Sequence, residues 1–251
     1  MTRLKAIYPR MGGKHFLVKK IKPFFPQNYD TYVEPFFGAG HLFFSLDGSK
    51  KEVINDLDPQ ITRIMKGFQT FDNIQIADDI NGYYSKEDFN DIKHSQPSSE
   101  YDQFLKDVVL LITSYFGKGE HYCLSSSCID LPVSNVYKDR LKDVVILNQD
   151  YKSVIQQFDS PNSFFYLDPP YQNSSKNHYQ FNQLNIFELL DFMTTIQGMF
   201  LLSYNCSSEI EEYSEKLGFK SKKITTVYSN PKGGSRGKVD ELLISNYFDA
   251  C

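Results

Sequence analysis

The sequence predicts a mixed α/β fold built on a parallel, doubly wound β-sheet. Short apolar runs alternate with amphipathic helical segments, a long polar stretch interrupts this alternation once, and two β-rich runs close the chain. The 251 residues are enough for one large domain with an insertion. A hydrophobic content of 41%, with 15% aromatic residues, excludes a disordered, collagen-like or coiled-coil chain.

The alternation of strands and helices comes in two blocks. In the first block, residues 31–35 are predicted to form a strand, 41–46 a helix after a glycine turn, 52–55 a strand, and the residues from Pro59 onward a helix. The second block adds strands at 144–148, 163–167 and 199–203 and helices at 151–158, 184–196 and 208–217. Residues 223–228 and 241–247 then predict a closing antiparallel hairpin.

The polar stretch between the two blocks predicts a separate part of the fold. Residues 69–142 are mostly helical in pattern, with serine-rich breaks at 96–99 and 125–127. We therefore assign residues 1–68 and 143–251 to one domain and residues 69–142 to a mostly helical inserted domain.

Several classes of protein are disfavoured. The longest apolar runs, 108–112 and 199–202, are far shorter than the roughly 18 residues of a membrane-spanning helix. No secretory signal is recognisable, so a cytoplasmic location is predicted. Four cysteines are too few for a disulfide framework. His121, Cys123 and Cys128 lie close in sequence but lack a fourth ligand at a suitable spacing, so no metal site is predicted.

The charge distribution favours a polyanionic partner despite a net charge of −4. Residues 1–22 and 216–238 contain no acidic residue and carry 14 of the 27 basic residues, which leaves 13 basic residues against all 31 acidic ones elsewhere. These two segments predict a basic face for a nucleic acid, although solvated charge clusters would give the same composition.

A first candidate site follows the first predicted strand. Residues 32–40 take the chain from that strand through Gly38 and Gly40 toward a helix, and glycines let a backbone approach a ligand closely. The next strand ends at Asp56, where a carboxylate can accept hydrogen bonds from two ribose hydroxyls. The combination indicates a cofactor with an adenosine moiety, although tight strand-to-helix turns also use glycine for steric reasons alone.

A second and more specific candidate site is Asp168-Pro169-Pro170-Tyr171, directly after a strand. The two prolines fix the backbone and remove two donors, so the carbonyl groups before them remain as acceptors. Asp168 adds a carboxylate and Tyr171 a flat ring, which together suit a planar group with an exocyclic amine. The alternative is a proline-rich turn with an aspartate N-cap.

Taken together, these motifs resemble those of the Dam-family, or D12-class, N6-adenine DNA methyltransferases. Gly12-Gly13-Lys14 is similar to the family's N-terminal cofactor motif, Asp150-Tyr151 to the motif that borders the cofactor adenine, and residues 233–241 to its basic C-terminal loop. The motifs cover both ends of the chain in the family's order. The resemblance implies a Rossmann-like methyltransferase sheet, a target-recognition role for the inserted domain, and double-stranded DNA as the substrate.

The resemblance also implies residue roles. Asp168, Pro169, Pro170 and Tyr171 would be catalytic, and the target adenine would be flipped out of the duplex onto the Tyr171 ring. His178, Tyr179 and Phe181 could form walls of the pocket, and Lys118, Lys232, Arg236 and Lys238 would contact DNA. The cofactor, S-adenosylmethionine, would be bound by Arg10, Gly12, Gly13, Lys14, Glu34, Pro35, Phe36, Gly38, Ala39, Gly40, Asp56, Leu57, Asp150, Tyr151 and Asp168.

Two stretches depart from the family's pattern. Arg10 and Met11 stand where members often carry an aromatic residue before the Gly-Gly-Lys region, and the nearest aromatic residue is Tyr8. Residues 114–121 stand where the GATC-specific members have their recognition hairpin, so the resemblance implies no target sequence.

Other assignments remain open at this point. The alternatives are an RNA adenine methyltransferase, a protein or small-molecule methyltransferase, and a catalytically silent relative that only binds nucleic acid. We expect a monomer or weak dimer, encoded by a bacterium or phage, in an orphan or a restriction–modification setting.

Overall fold

The computed structural model describes residues 4–9, 17–171, 184–228 and 237–248, without the side chains of residues 226–228 and 237–239. The strands are β1 (Thr31–Glu34), β2 (Lys51–Asn55), β3 (Gly82–Tyr83), β4 (Cys128–Ile129), β5 (Val145–Leu147), β6 (Ser163–Leu167), β7 (Met199–Asn205), β8 (Lys220–Tyr228) and β9 (Gly237–Ser245). The helices are α1 (Val18–Ile21), α2 (Pro59–Thr70), α3 (Asn73–Ile80), α4 (Lys86–His94), α5 (Glu100–Ile112), α6 (Val136–Leu141), α7 (Tyr151–Phe158), α8 (Ile186–Met193) and α9 (Ser208–Lys216). Across these described ranges, no helix combines the length and the apolar character needed to cross a membrane.

Seven strands form a mostly parallel sheet in the order β5-β2-β1-β6-β7-β9-β8. β1 pairs in parallel with both β2 and β6, and β6 pairs in parallel with β7. From β1 the chain therefore extends the sheet first toward β2 and β5, and then in the opposite direction through β6 and β7. Such a reversal is the topological switch point of a doubly wound sheet, where ligands bind beyond the carboxyl ends of the strands. The predicted α/β fold class is confirmed.

The predicted closing hairpin is present and is longer than expected. β8 and β9 pair in antiparallel fashion over their whole lengths, from Lys220 with Ser245 to Tyr228 with Gly237. β9 also pairs in antiparallel fashion with β7, and this pairing ends with Asn205 opposite Glu241. The hairpin therefore brings Glu241 beside the carboxyl end of β7.

The chain divides into two compact units. The first consists of Met1–Lys14, Gly38–Asp47 and Asp58–Ile146, and the second of His15–Phe37, Gly48–Leu57 and Leu147–Cys251. The first unit contains the whole of the predicted insertion, residues 69–142, together with α2 and the N-terminal residues. The second unit contains β1, β2, β6, β7 and the closing hairpin.

Some element bounds differ from the predicted ones. The helix predicted at 41–46 is a 3₁₀ turn, Phe43–Ser45, and the backbone is already extended at Leu46, where ψ is 154°. The rings of Phe43 and Phe44 pack edge to face at 5.1 Å, so burial of aromatic side chains determines this turn rather than helical periodicity. The helix predicted at 184–196 is shorter, because α8 ends at Met193.

The inserted segment is mostly helical, as predicted, but it also contains a small antiparallel sheet of β3 and β4. Each of these strands has two residues, which is too short for an alternating pattern to be visible in the sequence. In the core of the first unit, Phe68 packs against Phe104 and Tyr137 at ring distances of 5.3 and 5.5 Å.

The central strands of the second unit are buried on both faces. All five residues of β6 and the five central residues of β7 are buried, as expected for strands inside a parallel sheet. The ring of Phe25 packs against Phe164 of β6 at 4.7 Å and against Tyr32 of β1 at 6.3 Å. A rigid layer of this kind can position the residues that follow its strands.

Candidate active site

Three neighbouring strands of the second unit end at one edge of the sheet. β2, β1 and β6 run in parallel, and Glu34, the last residue of β1, pairs with Ile54 of β2. Asp56 follows β2, Phe36 follows β1 and Asp168 follows β6, so all three come at this edge. The sequence predicted functional residues after each of these strands.

Asn55, the last residue of β2, connects three chain segments at the same edge. Its side-chain amide donates to the carbonyl oxygen of Pro35 at 2.9 Å and to that of Gln149 at 3.0 Å, while its Oδ1 accepts from the Gln149 amide at 2.9 Å. Asn55 is 1% exposed, so these bonds are shielded from water. They fix the segments after β1 and β5 against β2.

The backbone at Asp56, directly after β2, is fixed by hydrogen bonds from Asn148. The Asn148 side chain donates to the carbonyl oxygens of Asp56 and Leu57, at 2.7 and 3.0 Å. Asp56 is half-buried, whereas Leu57 is exposed. A half-buried carboxylate on a fixed backbone suits the pair of ribose hydroxyls that the sequence predicted as its partners.

An aromatic pair lies in the same unit. The rings of Phe36 and Tyr151 are 5.2 Å apart and inclined by 37°. Burial, with a smaller contribution from the carboxylates of Asp150 and Glu188, raises the pKa of the Tyr151 hydroxyl to about 12, so this residue is neutral at pH 7. The Asp150 carboxylate accepts from the Lys152 amide at 2.9 Å and caps α7. The pair offers flat, uncharged surfaces of the kind that an adenine ring contacts.

Glu34, predicted to contact the cofactor, is almost wholly buried. Its exposure is 3%, and its Oε2 accepts a hydrogen bond from the Tyr32 hydroxyl at 2.8 Å. Burial, and then the adjacent Glu34 carboxylate, raise the pKa of the Tyr32 hydroxyl well above its ordinary value. Glu34 therefore has a structural partner within its own strand.

The glycine turn belongs to the first unit. Gly38 and Gly40 have φ values of 54° and 67°, a left-handed conformation that a side chain disfavours, and Ala39 between them is buried. The hydroxyl of Tyr8 donates to the Gly38 carbonyl oxygen at 2.7 Å, and Tyr8 is 2% exposed. Tyr8, the nearest aromatic residue on the N-terminal side of the Gly-Gly-Lys region, thus contacts the turn directly.

Asp168 is connected to a buried hydroxyl pair in the second unit. The hydroxyl groups of Tyr166 and Ser203 are 2.8 Å apart, and Ser203 Oγ lies 3.5 Å from Asp168 Oδ1, a long hydrogen bond. Tyr166 and Ser203 are 1% and 0% exposed. The half-buried Asp168 therefore lies beside a buried pair of hydroxyl groups, and the Pro169 that follows it is buried.

Tyr171 contacts Glu241 and Tyr204, which both lie in the second unit. Its hydroxyl donates to the Glu241 carboxylate, with distances of 2.8 Å to Oε2 and 3.0 Å to Oε1. Its ring meets Tyr204 of β7 in an edge-to-face arrangement, with the centroids 4.8 Å apart. Tyr204 is 2% exposed and Glu241 is 1% exposed, so one side of the half-buried Tyr171 ring is supported by the interior of the protein.

The segment 114–121, which stands where the resemblance would place a recognition hairpin, forms a closed loop in the first unit. Ser114 and Tyr122 form an antiparallel bridge at its base. Phe116 has a φ of 57°, which is unusual for a residue with a side chain. A Cβ on Gly117 would lie 1.9 Å from the Pro9 carbonyl oxygen, so only glycine fits there. The half-buried Lys118 follows in the same loop.

Several predicted site residues lie outside the described residues. They are Arg10, Gly12, Gly13, Lys14, His178, Tyr179, Phe181, Lys232 and Arg236. Lys238 lies in β9, but its side chain is also outside the description. Within the described ranges, no group of three or more His, Cys, Asp or Glu side chains could hold a metal ion.

The two basic segments of the sequence meet in the second unit. Lys20 of α1 donates to the Thr225 carbonyl oxygen of β8, and the Lys222 ammonium lies 5.6 Å from the centre of the Phe24 ring. The basic face and its binding to a nucleic acid both stay predictions.

Three residues at this edge were not predicted from the sequence. Asn55 and Ser203 belong to none of the sequence motifs, and they contact other residues of the site. Glu241 had a visible signal, because it ends the basic C-terminal loop motif and directly precedes the apolar residues Leu242, Leu243 and Ile244. Its partner Tyr171 is 70 positions away in sequence, so only the fold reveals the contact.

Comparison with known proteins gives a consistent result. The family model described as D12 class N6 adenine-specific DNA methyltransferase matches residues 11–230. The type II methyltransferase M1.LlaDCHI of Lactococcus lactis subsp. cremoris is 26% identical over 271 residues, which covers 94% of this chain and 93% of the relative. Type II methyltransferase M.CviBI of Paramecium bursaria Chlorella virus NC1A is 20% identical, with coverage of 97% and 100%.

A third relative extends the same pattern. The DNA adenine methylase of Haemophilus influenzae is 23% identical, and the alignment covers 92% of this chain and 90% of the relative. The family model spans most of the chain, and the fold and the motif order agree with it. The chain therefore belongs to the D12 class of N6 adenine-specific DNA methyltransferases, enzymes that use S-adenosylmethionine.

Proposed function

We propose that the carboxyl edge of β2, β1 and β6 is the active site at which this chain methylates the N6 amino group of a flipped-out adenine in double-stranded DNA. The observation that carries the proposal is the position of Asp168 at the end of β6, beside the switch point and against the buried Tyr166–Ser203 pair. A half-buried carboxylate in such a place lies where ligands of a doubly wound sheet bind.

The residues at this edge fit S-adenosylmethionine. Asp56 offers a carboxylate for the ribose hydroxyls, and the Phe36–Tyr151 pair offers ring surfaces for the adenine. Gly38 and Gly40, which have a left-handed backbone in the first unit, are kept in the proposed cofactor set on the sequence motif alone. When bound, the cofactor supplies an electrophilic methyl group on a sulfonium. Arg10, Gly12, Gly13, Lys14, Glu34, Pro35, Ala39, Leu57 and Asp150 complete the proposed cofactor set.

Asp168 is proposed to activate the target amine. The N6 lone pair of adenine is delocalised into the ring, which makes the nitrogen a weak nucleophile. Hydrogen bonds from its two hydrogens to the Asp168 carboxylate and the Pro169 carbonyl oxygen would localise that pair on the nitrogen. The contribution is one of positioning and polarisation, supplied by groups fixed before the substrate arrives.

The proton balance needs no strong base. The nitrogen would become cationic as its bond to the methyl group forms and the methyl–sulfur bond of the cofactor breaks, with that electron pair left on the sulfur. It would then lose one of its two hydrogens as a proton to water or through the Asp168 carboxylate. Because that proton leaves an acidic cation, a weak base such as a carboxylate or water is sufficient. Pro170 keeps the backbone between the two acceptors and Tyr171 in one conformation.

Base flipping is proposed because the amino group cannot be reached inside a duplex. Tyr171 would stack on the extruded adenine, since its half-buried ring is already supported on one side by Tyr204. Lys118, Lys232, Arg236 and Lys238 are proposed phosphate contacts. Residues 69–142 are the proposed target-recognition domain, and the enzyme would act as a monomer or weak dimer.

The experiment is a product analysis. The protein is incubated with methyl-labelled S-adenosylmethionine and either duplex DNA, single-stranded DNA or RNA, and the nucleosides are then separated. We expect the duplex DNA to yield labelled N6-methyl-2′-deoxyadenosine. Label found mainly in RNA would replace the proposal with RNA methylation. Absence of transfer to any nucleic acid, with DNA binding retained, would leave a silent nucleic-acid-binding relative.

A further inference from the structure

We propose that Glu241 of the C-terminal hairpin is a positioning residue for base stacking, which fixes the Tyr171 ring through its hydroxyl. This inference rests on the proposed role of Tyr171 as the surface on which the target adenine stacks. It adds a residue from outside the catalytic tetrapeptide to the machinery of the reaction.

The contact geometry is the first support. Both carboxylate oxygens of Glu241 lie within 3.0 Å of the Tyr171 hydroxyl oxygen, so the phenol O–H points into the fork of the carboxylate. A hydrogen bond to a charged acceptor is stronger than one between neutral groups. It acts at the far end of the ring, where it limits the swing of the whole side chain.

The second support is the way the two contacts of Tyr171 complement one another. The bond to Glu241 fixes the position of the hydroxyl end, whereas the edge-to-face contact with Tyr204 at an interplanar angle of 68° fixes the tilt of the ring plane. A ring constrained in both ways loses little conformational entropy when a base stacks on it.

The third support is the location of the carboxylate. Glu241 is 1% exposed and precedes Leu242, Leu243 and Ile244, all 0% exposed, in β9. Burying a carboxylate is unfavourable unless it is hydrogen-bonded, and an apolar residue would suit a strand in this position better. A charged residue here is therefore better explained by what it orients than by the packing of the hairpin.

The pairing of β9 with β7 determines where this carboxylate lies. Glu241 stands opposite Asn205, and Tyr204 and Ser203 precede Asn205 in β7. Ser203 approaches Asp168, and Tyr204 contacts Tyr171. The paired strands β7 and β9 thus contact both ends of the proposed catalytic tetrapeptide. Ser203 of β7 contacts its first residue, Asp168, and Glu241 of β9 contacts its last, Tyr171.

The test uses Glu241→Ala, Glu241→Gln, Tyr171→Phe and the double variant Glu241→Ala with Tyr171→Phe. Removing either partner should lower kcat by about 10- to 100-fold, the range for one hydrogen bond to a charged group, with cofactor affinity unchanged. Glu241→Gln keeps an acceptor and should lose less. The double variant should be no slower than the worse single variant, because both remove the same interaction.

A second readout separates positioning from a general structural role. With 2-aminopurine at the target position, the flipped base fluoresces in a way that depends on its stacking, so Glu241→Ala and Tyr171→Phe should change the fluorescence of the complex alike. The control is Tyr213→Phe, which removes a tyrosine–carboxylate bond of 2.7 Å to Asp191 on the surface of the same unit. It should change neither kcat nor the fluorescence.

The outcomes are distinguishable. Additive losses in the double variant, or normal kcat and fluorescence in a folded Glu241→Ala protein, would overturn the positioning role while wild-type DNA methylation still stands. If the wild-type protein methylates no DNA, the proposed function itself fails. If Glu241→Ala does not fold, Glu241→Gln and Tyr171→Phe carry the test, and normal turnover in both would overturn the inference.

Discussion

The buried polar side chains of the two units make different kinds of connection. In the second unit Asn55 connects the segments after β1, β2 and β5, and Ser203 and Glu241 contact Asp168 and Tyr171, the two ends of the proposed catalytic tetrapeptide. In the first unit they connect helices: the 3%-exposed Asp107 of α5 accepts hydrogen bonds from Gln60 and Arg63 of α2.

This difference suggests a division of labour. Strand ends of a parallel sheet are rigid and meet at one edge, so they suit a reaction whose atoms must be positioned accurately. A helical unit with connecting loops can change its surface while its core stays intact, which suits the recognition of a DNA sequence. If the division is real, substitutions in the second unit should affect chemistry or cofactor binding, and those in the first unit should affect the choice of site.

The largest effect is expected at Asp168. Asp168→Ala should reduce the rate of methyl transfer by about 100-fold or more, as for the loss of a preorganised polar contact to the reacting group. Cofactor affinity should be largely retained, because the main proposed partner of the carboxylate is the target amine. Single-turnover kinetics and calorimetry measure the two quantities. Asp191→Ala, at an exposed carboxylate of α8, is the matched control, and near-normal turnover by Asp168→Ala would contradict the mechanism.

A smaller effect is expected at Asp56, and it should appear in cofactor binding. Asp56→Ala removes the acceptor for two ribose hydroxyls and should weaken S-adenosylmethionine binding by about 10- to 100-fold. Asp58 is only two positions away but caps α2 in the first unit, accepting from the Gln60 amide at 2.9 Å. Asp58→Ala should lower stability by about 1 kcal/mol and leave the cofactor affinity unchanged. Equal affinity losses in both variants would reject the assignment of Asp56.

Two glycines of the loop in the first unit offer a paired test. Gly117 and Gly119 have similar φ values, 63° and 69°, but an added Cβ would lie 1.9 Å from the Pro9 carbonyl oxygen at Gly117 and no closer than 3.7 Å to any neighbour at Gly119. Each alanine substitution should lower the free energy of unfolding by about 1–2 kcal/mol because of the left-handed backbone, and only Gly117→Ala adds a steric clash.

We therefore expect Gly117→Ala to weaken binding of the target duplex by more than Gly119→Ala, with cofactor affinity intact in both. Fluorescence anisotropy with target and non-target duplexes checks this. An equal and small effect of the two substitutions would show that the loop shape near Pro9 is irrelevant to DNA recognition.

The smallest effect concerns alkaline pH and uses one tyrosine in each unit. Burial raises the pKa values of Tyr137 and Tyr151 to about 12. Because the unfolded chain deprotonates near its ordinary pKa of about 10, both tyrosines stabilise the fold below that pH, and this stability is lost as pH rises from about 10 toward 12.

Adding S-adenosylmethionine should delay the ionisation of Tyr151 further and leave Tyr137 unchanged. Ultraviolet absorbance of the phenolate, compared between Tyr151→Phe and Tyr137→Phe, assigns the two transitions. If the cofactor instead shifted the ionisation of Tyr137, the adenine would contact the first unit, and the assignment of Tyr151 would be wrong.

The sequence predicted the fold class and the strand ends because both depend on local patterns. Alternating strands and helices indicated the parallel sheet, and Asp56 and Asp168 directly follow strands, so their shared edge follows from the topology alone. The 41–46 segment was predicted wrongly, since burial of Phe43 and Phe44 outweighed helical periodicity. Glu241 ends the C-terminal loop motif, but its contact with Tyr171 could not be predicted, because it arises from the pairing of β9 with β7; Ser203 belongs to no motif at all.

The most direct test of the division of labour is to exchange residues 69–142 for the corresponding segment of a relative with a different target sequence. Modification-sensitive sequencing of DNA treated with the chimaera then identifies the methylated adenines, and calorimetry confirms that S-adenosylmethionine binding is intact. We predict N6-methylation at the sites of the donor relative. Methylation at the original sites by a chimaera that binds the cofactor normally would show that another part of the chain reads the sequence, and it would contradict the account.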